Sequence, residues 1–323
     1  MEKSDIVSVI DRLGLDNTMQ QVIDRLQRAI EWYDPEAIDI AARQGFQYEQ
    51  TSYGLLEWMP ACDRNQGTVI KIVGYHPANP TLYQLPSVLS SLYSFDIETG
   101  HLKALMDGTL LTAIRTGAAS AVASRLLADP SSETLCVVGC GAQAVTQIHA
   151  LWLTFPLKQI LAFDTDPDAA ASLSQRLPPG APPVVILEHD DLVASLQRSD
   201  LICTCTSARP GDDPVVPMFD PLPHLHINAV GSDAPGKIEL PLPLLQSAEV
   251  FPDMLEQAVH EGECQQLDPN HIGPTLAELV QSAGPEGCGW KKTTVFDSTG
   301  WAFEDKVIME LFLELAEEFE LGR

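Results

Sequence analysis

The pattern of apolar positions changes twice along the chain. Over the first forty residues, apolar side chains recur at helical spacing, as at Ile23, Leu26 and Ile30, which predicts two amphipathic helices. From about residue 46 to 106, short runs rich in β-branched and aromatic residues alternate with Gly, Pro, Asn and Asp, a pattern typical of an antiparallel sheet. The Ala-rich stretch LTAIRTGAASAVASRLLAD then predicts one long helix, which Asp129-Pro130 ends.

Strands and helices alternate in the second part of the chain. From Glu133 onward, a strand, a glycine turn and a helix are followed by further strands and helices up to LHINAVG. This alternation predicts a Rossmann-type, doubly wound parallel sheet at 131–300. A last helix at 301–323, with an expected acidic outer face, would complete an α+β domain formed by 1–130. The predicted fold class is therefore α/β with two domains.

Composition excludes two classes of partner. With 19 Lys and Arg against 45 Asp and Glu, the net charge of -26 repels the phosphates of nucleic acids and the surfaces of anionic lipids. We therefore expect neither nucleic acid nor membrane partners. The N-terminus lacks an apolar signal region, so we also expect no export. The cysteines are odd in number, 7, and most lie in apolar runs, which favours free thiols in a reducing cytoplasm and no metal site.

A glycine-rich motif follows the first strand of the second part. It lies between a predicted strand and a predicted helix, the context in which GxGxxG/A binds a dinucleotide. The motif consists of Gly139, Cys140, Gly141, Ala142, Gln143 and Ala144. Gly139 permits the tight turn, Gly141 lets the backbone approach a pyrophosphate, and Ala144 keeps the helix close to the strand. We therefore expect a dinucleotide at the beginning of this helix.

An acidic residue after the next strand indicates which dinucleotide binds. Asp164 ends the run QILAFD, where a carboxylate binds a ribose 2′-hydroxyl and repels a 2′-phosphate. This position predicts NAD rather than NADP as the cofactor. The alternative is a structural glycine turn with Asp164 capping the next helix, and Asp166 could share or replace the role of Asp164.

Charged residues within apolar runs are the candidates for the substrate site. Glu57 lies in LLEWMP, Lys71 in VIKIVGYHP and Arg115 in LTAIRTGAAS. Buried charges are costly unless they are paired or functional, so each is either a substrate-binding group or a paired structural charge. Lys71 and Arg115 together suit a carboxylate. Asp233 and Lys237 lie in a loop after a strand, at the edge where open α/β sheets bind ligands.

These motifs carry a resemblance that spans nearly the whole chain. The runs LEWMPA, KIVGYHPANP, LLTAIRTGAASAVAS, VVGCGAQA, AFDTDP, HINAVGSDAPGKIEL, EGECQQL and VFDSTGWAFED resemble the ornithine cyclodeaminase and mu-crystallin family. Glu57 before MP, GYHPAN, GSDAPGKIEL and EGECQQL are more similar to the cyclodeaminase branch than to mu-crystallin or the archaeal-type alanine dehydrogenases. The resemblance implies a homodimer with tightly held NAD that converts L-ornithine to L-proline and ammonia.

The resemblance also implies roles for individual residues. Lys71 and Arg115 would bind the substrate carboxylate, Glu57 an amino group, and Arg43 is the nearest candidate for a further carboxylate-binding arginine. Asp233 would take the proton of the α-ammonium as hydride leaves Cα for the nicotinamide. The terminal amine then attacks the imine, ammonia is lost, and the cyclic imine takes the hydride back. Asp233, Lys71 and Glu57 are thus the expected catalytic residues.

Further cofactor contacts and a range of related functions complete the expectation. We expect contacts to NAD from Thr116, Thr206, Val230, Lys237 and Ser298.

L-lysine remains an alternative substrate, because one methylene changes binding by only about 1–3 kcal/mol. An amino-acid dehydrogenase, a cyclic ketimine reductase and a mu-crystallin-like binding protein also fit the resemblance. Glu57 argues against the dehydrogenase and Asp233 against the binding protein.

Overall fold

The chain forms two compact units. The computed structural model describes residues 1–49, 52–282 and 292–321. One unit comprises Met1–Arg115 and Trp301–Arg323, and the other comprises Thr116–Gly300. The border therefore lies within the long helix, upstream of the boundary expected at 130. The physical reason is that the later part of this helix packs in the second unit, where Asn228 Nδ2 donates to Ser124 Oγ at 3.0 Å.

The first unit contains an antiparallel sheet with helices. Its elements are α1 (Lys3–Leu13), α2 (Leu15–Glu31), β1 (Ile38–Ile40), β2 (Gln44–Glu49), β3 (Tyr53–Asp63), β4 (Gly67–Tyr75), α3 (Asn79–Tyr83), β5 (Val88–Phe95), β6 (Leu102–Asp107), the start of α4 (Thr109–Leu127) and α11 (Ala302–Glu318). The strands follow the order β1-β3-β4-β5-β6, and β2 also pairs with β3. One face of this sheet packs on α11, since Met59 and Ala61 are buried against Ala302.

The second unit contains a parallel sheet. Its further elements are β7 (Thr134–Val138), α5 (Ala142–Thr154), β8 (Gln159–Phe163), α6 (Pro167–Arg176), β9 (Val184–Ile186), α7 (Leu192–Gln197), β10 (Leu201–Thr204), β11 (His226–Ala229), α8 (Leu242–Ser247), β12 (Glu249–Pro252), α9 (Leu255–Glu261), α10 (Leu276–Ser282) and β13 (Thr294–Asp297). The strand order is β12-β13-β11-β10-β7-β8-β9, and every pairing is parallel. The order reverses between β7 and β10, which is where doubly wound folds bind their ligands.

Both faces of the parallel sheet are covered. Leu135 and Val137 of β7 join one buried cluster with α5 and α6, whereas Cys136 and Val138 join another with α7, α8 and α9. This alternation confirms the predicted Rossmann-type fold. Within the described ranges, no helix is long and apolar enough to cross a membrane. The described cysteines are free thiols, and Cys288 lies outside the described residues.

Candidate active site

The buried charges of the first unit form one ionic cluster. Lys71 lies in β4 opposite Met59 of β3 and is 1% exposed. Its Nζ pairs with Asp305 Oδ2 at 2.6 Å, and Arg115 Nε donates to Asp305 Oδ1 at 3.0 Å. Arg115 Nη1 also donates to Glu304 Oε2 at 2.8 Å. Both predicted carboxylate-binding cations thus contact one aspartate of α11.

The acidic partners of these cations were not predicted from the sequence. The last helix is expected to have an acidic outer face, and no inward role is expected for its acids, but Glu304 and Asp305 in its first turn are 0% and 1% exposed. These two acids depart from the acidic outer face because the first turn of α11 faces inward, where ion pairs compensate them. A signal existed, since both acids follow the apolar residues of GWAF, just as Lys71 lies within VIKIVG.

Arg43 reaches Glu57 through a hairpin. β2 pairs with β3 such that Gly45 lies opposite Glu57, and Arg43 directly precedes β2. Arg43 Nη1 lies 3.3 Å from Glu57 Oε2, although the two residues are 14 positions apart in sequence. A Cβ at position 45 would lie 2.6 Å from Glu57 Cγ, so glycine makes room for this contact. Because strand residues alternate, Glu57 and Lys71 share the face of the sheet that packs on α11.

Burial and neighbouring charges change the protonation of Lys71. Burial lowers the pKa of Lys71 to about 8, and the positive charges of Arg115 and Arg43 contribute in the same direction. The carboxylate of Asp305 opposes this shift. Lys71 is therefore charged at pH 7 and loses its proton in a mildly alkaline range.

The glycine-rich turn has the geometry that a dinucleotide requires. Gly139 has a φ of 95°, and a Cβ there would lie 2.7 Å from the carbonyl oxygen of Cys205. A Cβ at Gly141 would meet no described atom within 4 Å, so this side of the turn is open. Gly141 precedes α5 without a side-chain cap, which leaves the first N–H groups of the helix for an anion. Ala144 is buried against β7 and β8, as close packing of the helix requires.

Asp164 is tied to this turn. It follows β8, its Oδ2 accepts from Cys140 N at 2.6 Å, and its Oδ1 accepts from Asp166 N at 2.8 Å. The cap of α6 is Asp166, whose side chain accepts from Asp168 N at 3.0 Å. The alternative of Asp164 as the helix cap is therefore wrong. The carboxylate of Asp164 lies instead beside the glycine motif.

Arg176 holds the same turn from α6. Its Nη2 donates to the carbonyl oxygen of Cys140 at 2.5 Å, and its Nη1 donates to that of Gly141 at 3.1 Å. Nη2 also donates to the carbonyl oxygen of Ala169 at 3.0 Å. This role was not predicted, because an arginine near the end of a surface helix has no distinguishing local pattern.

Three predicted cofactor residues follow neighbouring strands. Thr206 comes after β10, and Val230 after β11, where its N–H donates to the carbonyl oxygen of Thr204 at 2.9 Å. Ser298 comes after β13, and its N–H donates to the carbonyl oxygen of Ala229 at 2.9 Å. Ser298 Oγ is buried and has no hydrogen-bond partner among the described residues. The carboxyl edge of the sheet thus presents an unsatisfied hydroxyl, as expected beside a ligand site.

Asp233 lies in a well-fixed loop after β11. Lys237 Nζ lies 2.8 Å from Asp233 Oδ1, and the Lys237 side chain is 5% exposed whereas that of Asp233 is 48% exposed. Ser232 Oγ and Gln265 Nε2 donate to the carbonyl oxygen of Lys237 at 2.5 and 3.0 Å. The loop therefore holds a carboxylate that is half exposed to solvent.

The position of Thr116 is also defined. This residue lies in α4, and its carbonyl oxygen accepts from Gln147 Nε2 of α5 at 3.3 Å. A Cβ at the neighbouring Gly117 would lie 2.4 Å from the carbonyl oxygen of Thr146, so α4 and α5 approach closely here. Thr116 is thus placed beside the helix that follows the glycine motif.

Comparison with known proteins relates these features to a family. The model of the ornithine cyclodeaminase/mu-crystallin family matches residues 3–319. The chain is 37% identical to the L-lysine cyclodeaminase of Streptomyces rapamycinicus over 319 residues, which are 98% of this chain and 92% of that protein. A solved structure that shows recognition of L-lysine, L-ornithine and L-2,4-diaminobutyric acid by lysine cyclodeaminase gives a TM-score of 0.95 at 44% identity and covers 100% of this chain and 93% of that chain. An archaeal alanine dehydrogenase dimer with bound NAD gives 0.87 at 28% identity, with coverages of 100% and 97%.

Proposed function

Because the chain belongs to the ornithine cyclodeaminase/mu-crystallin family, we propose that it is an NAD-dependent cyclodeaminase that converts L-lysine to L-pipecolate and ammonia. The motifs alone favour L-ornithine. The similarity to lysine cyclodeaminases changes this preference, and L-ornithine, with L-proline as product, stays the second candidate because one such relative recognises both amino acids.

One observation carries the proposal for a diamino acid. Glu57 shares a sheet face with Lys71, so a carboxylate and an ammonium lie on the same surface. A carboxylate suits a side-chain amine, and a cation suits the α-carboxylate of the same substrate. The methyl side chain of alanine would need no partner of the first kind. This pairing supports a cyclodeaminase over an alanine-type dehydrogenase.

NAD fits the second unit through the open turn at Gly141 and the carboxylate of Asp164. A bound NAD would supply the acceptor for the hydride of the substrate's α-carbon and the source of hydride for the cyclic imine. Thr206, Val230 and Ser298 would contact it from the carboxyl edge of the sheet. The net reaction then consumes no cofactor.

The chain's own groups bind the substrate and move the proton. Lys71 and Arg115 bind the α-carboxylate, which shares these cations with Asp305, and Arg43 adds positive charge. Glu57 holds the terminal ammonium. Asp233 accepts the proton of the α-ammonium, because its carboxylate is half exposed and lies on a fixed loop.

A single assay tests the proposed reaction. Purified protein is given L-lysine, L-ornithine or L-alanine with a small fixed amount of NAD, and ammonia, cyclic imino acid and NADH absorbance are followed together. Ammonia and L-pipecolate in large excess over NAD, without accumulating NADH, are the expected result. Ammonia matched by NADH would instead identify a dehydrogenase, and L-proline as the faster product would identify L-ornithine as the substrate.

The binding of a carboxylate is expected to weaken above pH 8. The charge of Lys71 is present below its pKa of about 8 and is lost as the pH rises through that value. The dissociation constant of pentanoate, which carries no amine, is therefore expected to rise about tenfold from pH 7 to pH 9. Isothermal titration calorimetry measures this constant directly. Lys71→Arg keeps its charge and should remove the pH dependence, whereas an unchanged profile in that variant would exclude Lys71 as its source.

We also propose a homodimer formed through the outer face of the antiparallel sheet. Leu56 lies opposite Phe46 and Gly74, and Gly74 lies opposite Leu89, so these residues form a row across one face. Phe46 is 64% exposed and Leu105 is 49% exposed in the single chain. An exposed apolar face of this kind marks an interface.

Leu105→Glu is expected to yield monomers. A charge within an apolar interface is desolvated without a partner, which disfavours association. Light scattering coupled to size-exclusion chromatography measures the mass. The control is Leu242→Glu in α8, where the leucine is 37% exposed. A dimeric Leu105→Glu protein would place the interface elsewhere.

A further inference from the structure

One buried carboxylate links the loops that follow β10 and β11. Glu239 is 0% exposed. Its Oε2 accepts from Thr204 Oγ1 and from Gly231 N, both at 2.7 Å. Its Oε1 accepts from both the N–H and the hydroxyl of Thr206, again at 2.7 Å. Four donors, one at the end of β10 and three in the two loops, therefore converge on a single side chain.

The chain makes specific room for this carboxylate. A Cβ at Gly231 would lie 2.3 Å from Glu239 Oε1 and 2.5 Å from its Cδ, so a side chain there would displace the carboxylate. The φ of Gly231 does not fall in the left-handed region. Glycine is therefore required here for space and not for its backbone conformation.

The negative charge of Glu239 is held by neutral donors. Two threonine hydroxyl groups and two backbone N–H groups donate hydrogen bonds to the carboxylate, and none of these donors carries a charge that would neutralise it. The nearby carboxyl group of Glu263 adds no second negative charge, because burial, and then the charges of Asp297 and Glu239, raise its pKa well above its ordinary value. The carboxylate of Glu239 itself therefore places a negative charge at this edge of the sheet.

We propose that Glu239 is a positioning residue of the cofactor site, which fixes these two loops and whose charge favours oxidised over reduced cofactor. This inference rests on the proposed use of NAD. The glycine motif follows β7, and Asp164, the proposed partner of the adenosine ribose, follows β8. The nicotinamide is therefore expected on the other side of β7, in the half of the sheet that contains β10 and β11. The oxidised ring carries a positive charge that the reduced ring lacks, and a buried carboxylate distinguishes the two. A cyclodeaminase begins and ends each turnover with the oxidised form.

Glu239→Gln tests both parts of the proposal by equilibrium binding. The amide keeps the shape of the side chain but removes the charge and turns an NH2 group toward two of the donors. The dissociation constant of NAD+ is expected to rise about tenfold or more. The ratio of the NADH to the NAD+ dissociation constant is expected to fall about 3- to 10-fold. Fluorescence or calorimetric titration of the purified protein gives both constants without turnover.

Gly231→Ala separates geometry from charge. Its methyl group shifts the Glu239 carboxylate but does not remove the negative charge. The dissociation constants of NAD+ and NADH are therefore expected to rise by a similar factor. Glu249→Gln is the matched control, because the side chain of this glutamate is 41% exposed and pairs with Lys292, and the residue begins β12 at the amino end of the parallel strands. Neither constant is expected to change in the control.

Several results would overturn the inference. An equal rise of both constants in Glu239→Gln would remove the role of the charge, and unchanged constants would remove the positioning role. If that variant does not fold, Thr204→Val deletes only one donor and is expected to raise both constants about threefold. Unchanged constants there would also refute the proposal, as would a wild-type protein that binds no NAD. Binding of NAD without turnover of L-lysine or L-ornithine would refute only the proposed reaction.

Discussion

An Asp233→Asn variant is expected to lose turnover and still bind NAD+. The amide has nearly the same shape as the carboxylate but does not accept a proton at neutral pH, and general base catalysis contributes roughly 10²- to 10⁴-fold. We expect kcat with L-lysine to fall about 10³-fold. The dissociation constant of NAD+ is expected to stay within about twofold of wild type, since Asp233 itself is not among the proposed contacts to the cofactor. Steady-state kinetics and calorimetry measure the two quantities.

The structure supports this separation of chemistry from binding. Ser232 and Gln265 hold the loop through the carbonyl oxygen of Lys237, and neither contact uses the Asp233 side chain. Asp212→Asn is the matched control, because Asp212 is an exposed acid whose side chain accepts only a long backbone contact of 3.2 Å from Arg209. A variant at position 233 that keeps more than a tenth of the wild-type kcat would remove Asp233 from the mechanism.

Local signals predicted the parallel sheet and its turn. The uninterrupted apolar run LCVV is typical of a strand that is covered on both faces, as β7 is, and Gly139 after it has a positive φ that favours glycine. By contrast, β1 has 3 residues and α3 has 5, too few for a period to be visible. Such short elements form because the surrounding structure holds them.

Pairing across long sequence distances was not predictable. Lys71 and Arg115 stand out as charges among apolar residues, but Asp305 is 190 positions from Arg115, and nothing local relates the two. Arg43 lies unexpectedly far upstream of Glu57, and only the register of β2 on β3 shows that they meet. The contacts of Glu239 were equally unpredictable, because the segments that donate to it come together only through the pairing of β10 with β11.

Replacing Asp305 by asparagine is expected to lower the free energy of unfolding by about 3–5 kcal/mol. Asp305 forms ion pairs with both Lys71 and Arg115, and the exposures of these three residues are 1%, 1% and 4%. The amide leaves two buried cations without this anion, and their lost hydration is no longer compensated. Urea unfolding at pH 7 measures the change.

The dependence of this loss on pH identifies its electrostatic origin. Asp305 raises the pKa of Lys71 in the folded protein. In Asp305→Asn, the folded protein therefore releases the Lys71 proton at lower pH than the wild type does. The unfolded chain keeps that proton up to about pH 10.4. The unfolded variant then binds more protons than the folded one, and its stability relative to wild type is expected to recover as the pH rises from 7 to 9.5. Asp39→Asn is the control, because Asp39 pairs with Arg64 at an exposed site and is expected to contribute less than about 1 kcal/mol. A deficit in Asp305→Asn that does not change with pH would indicate lost packing instead of an uncompensated charge.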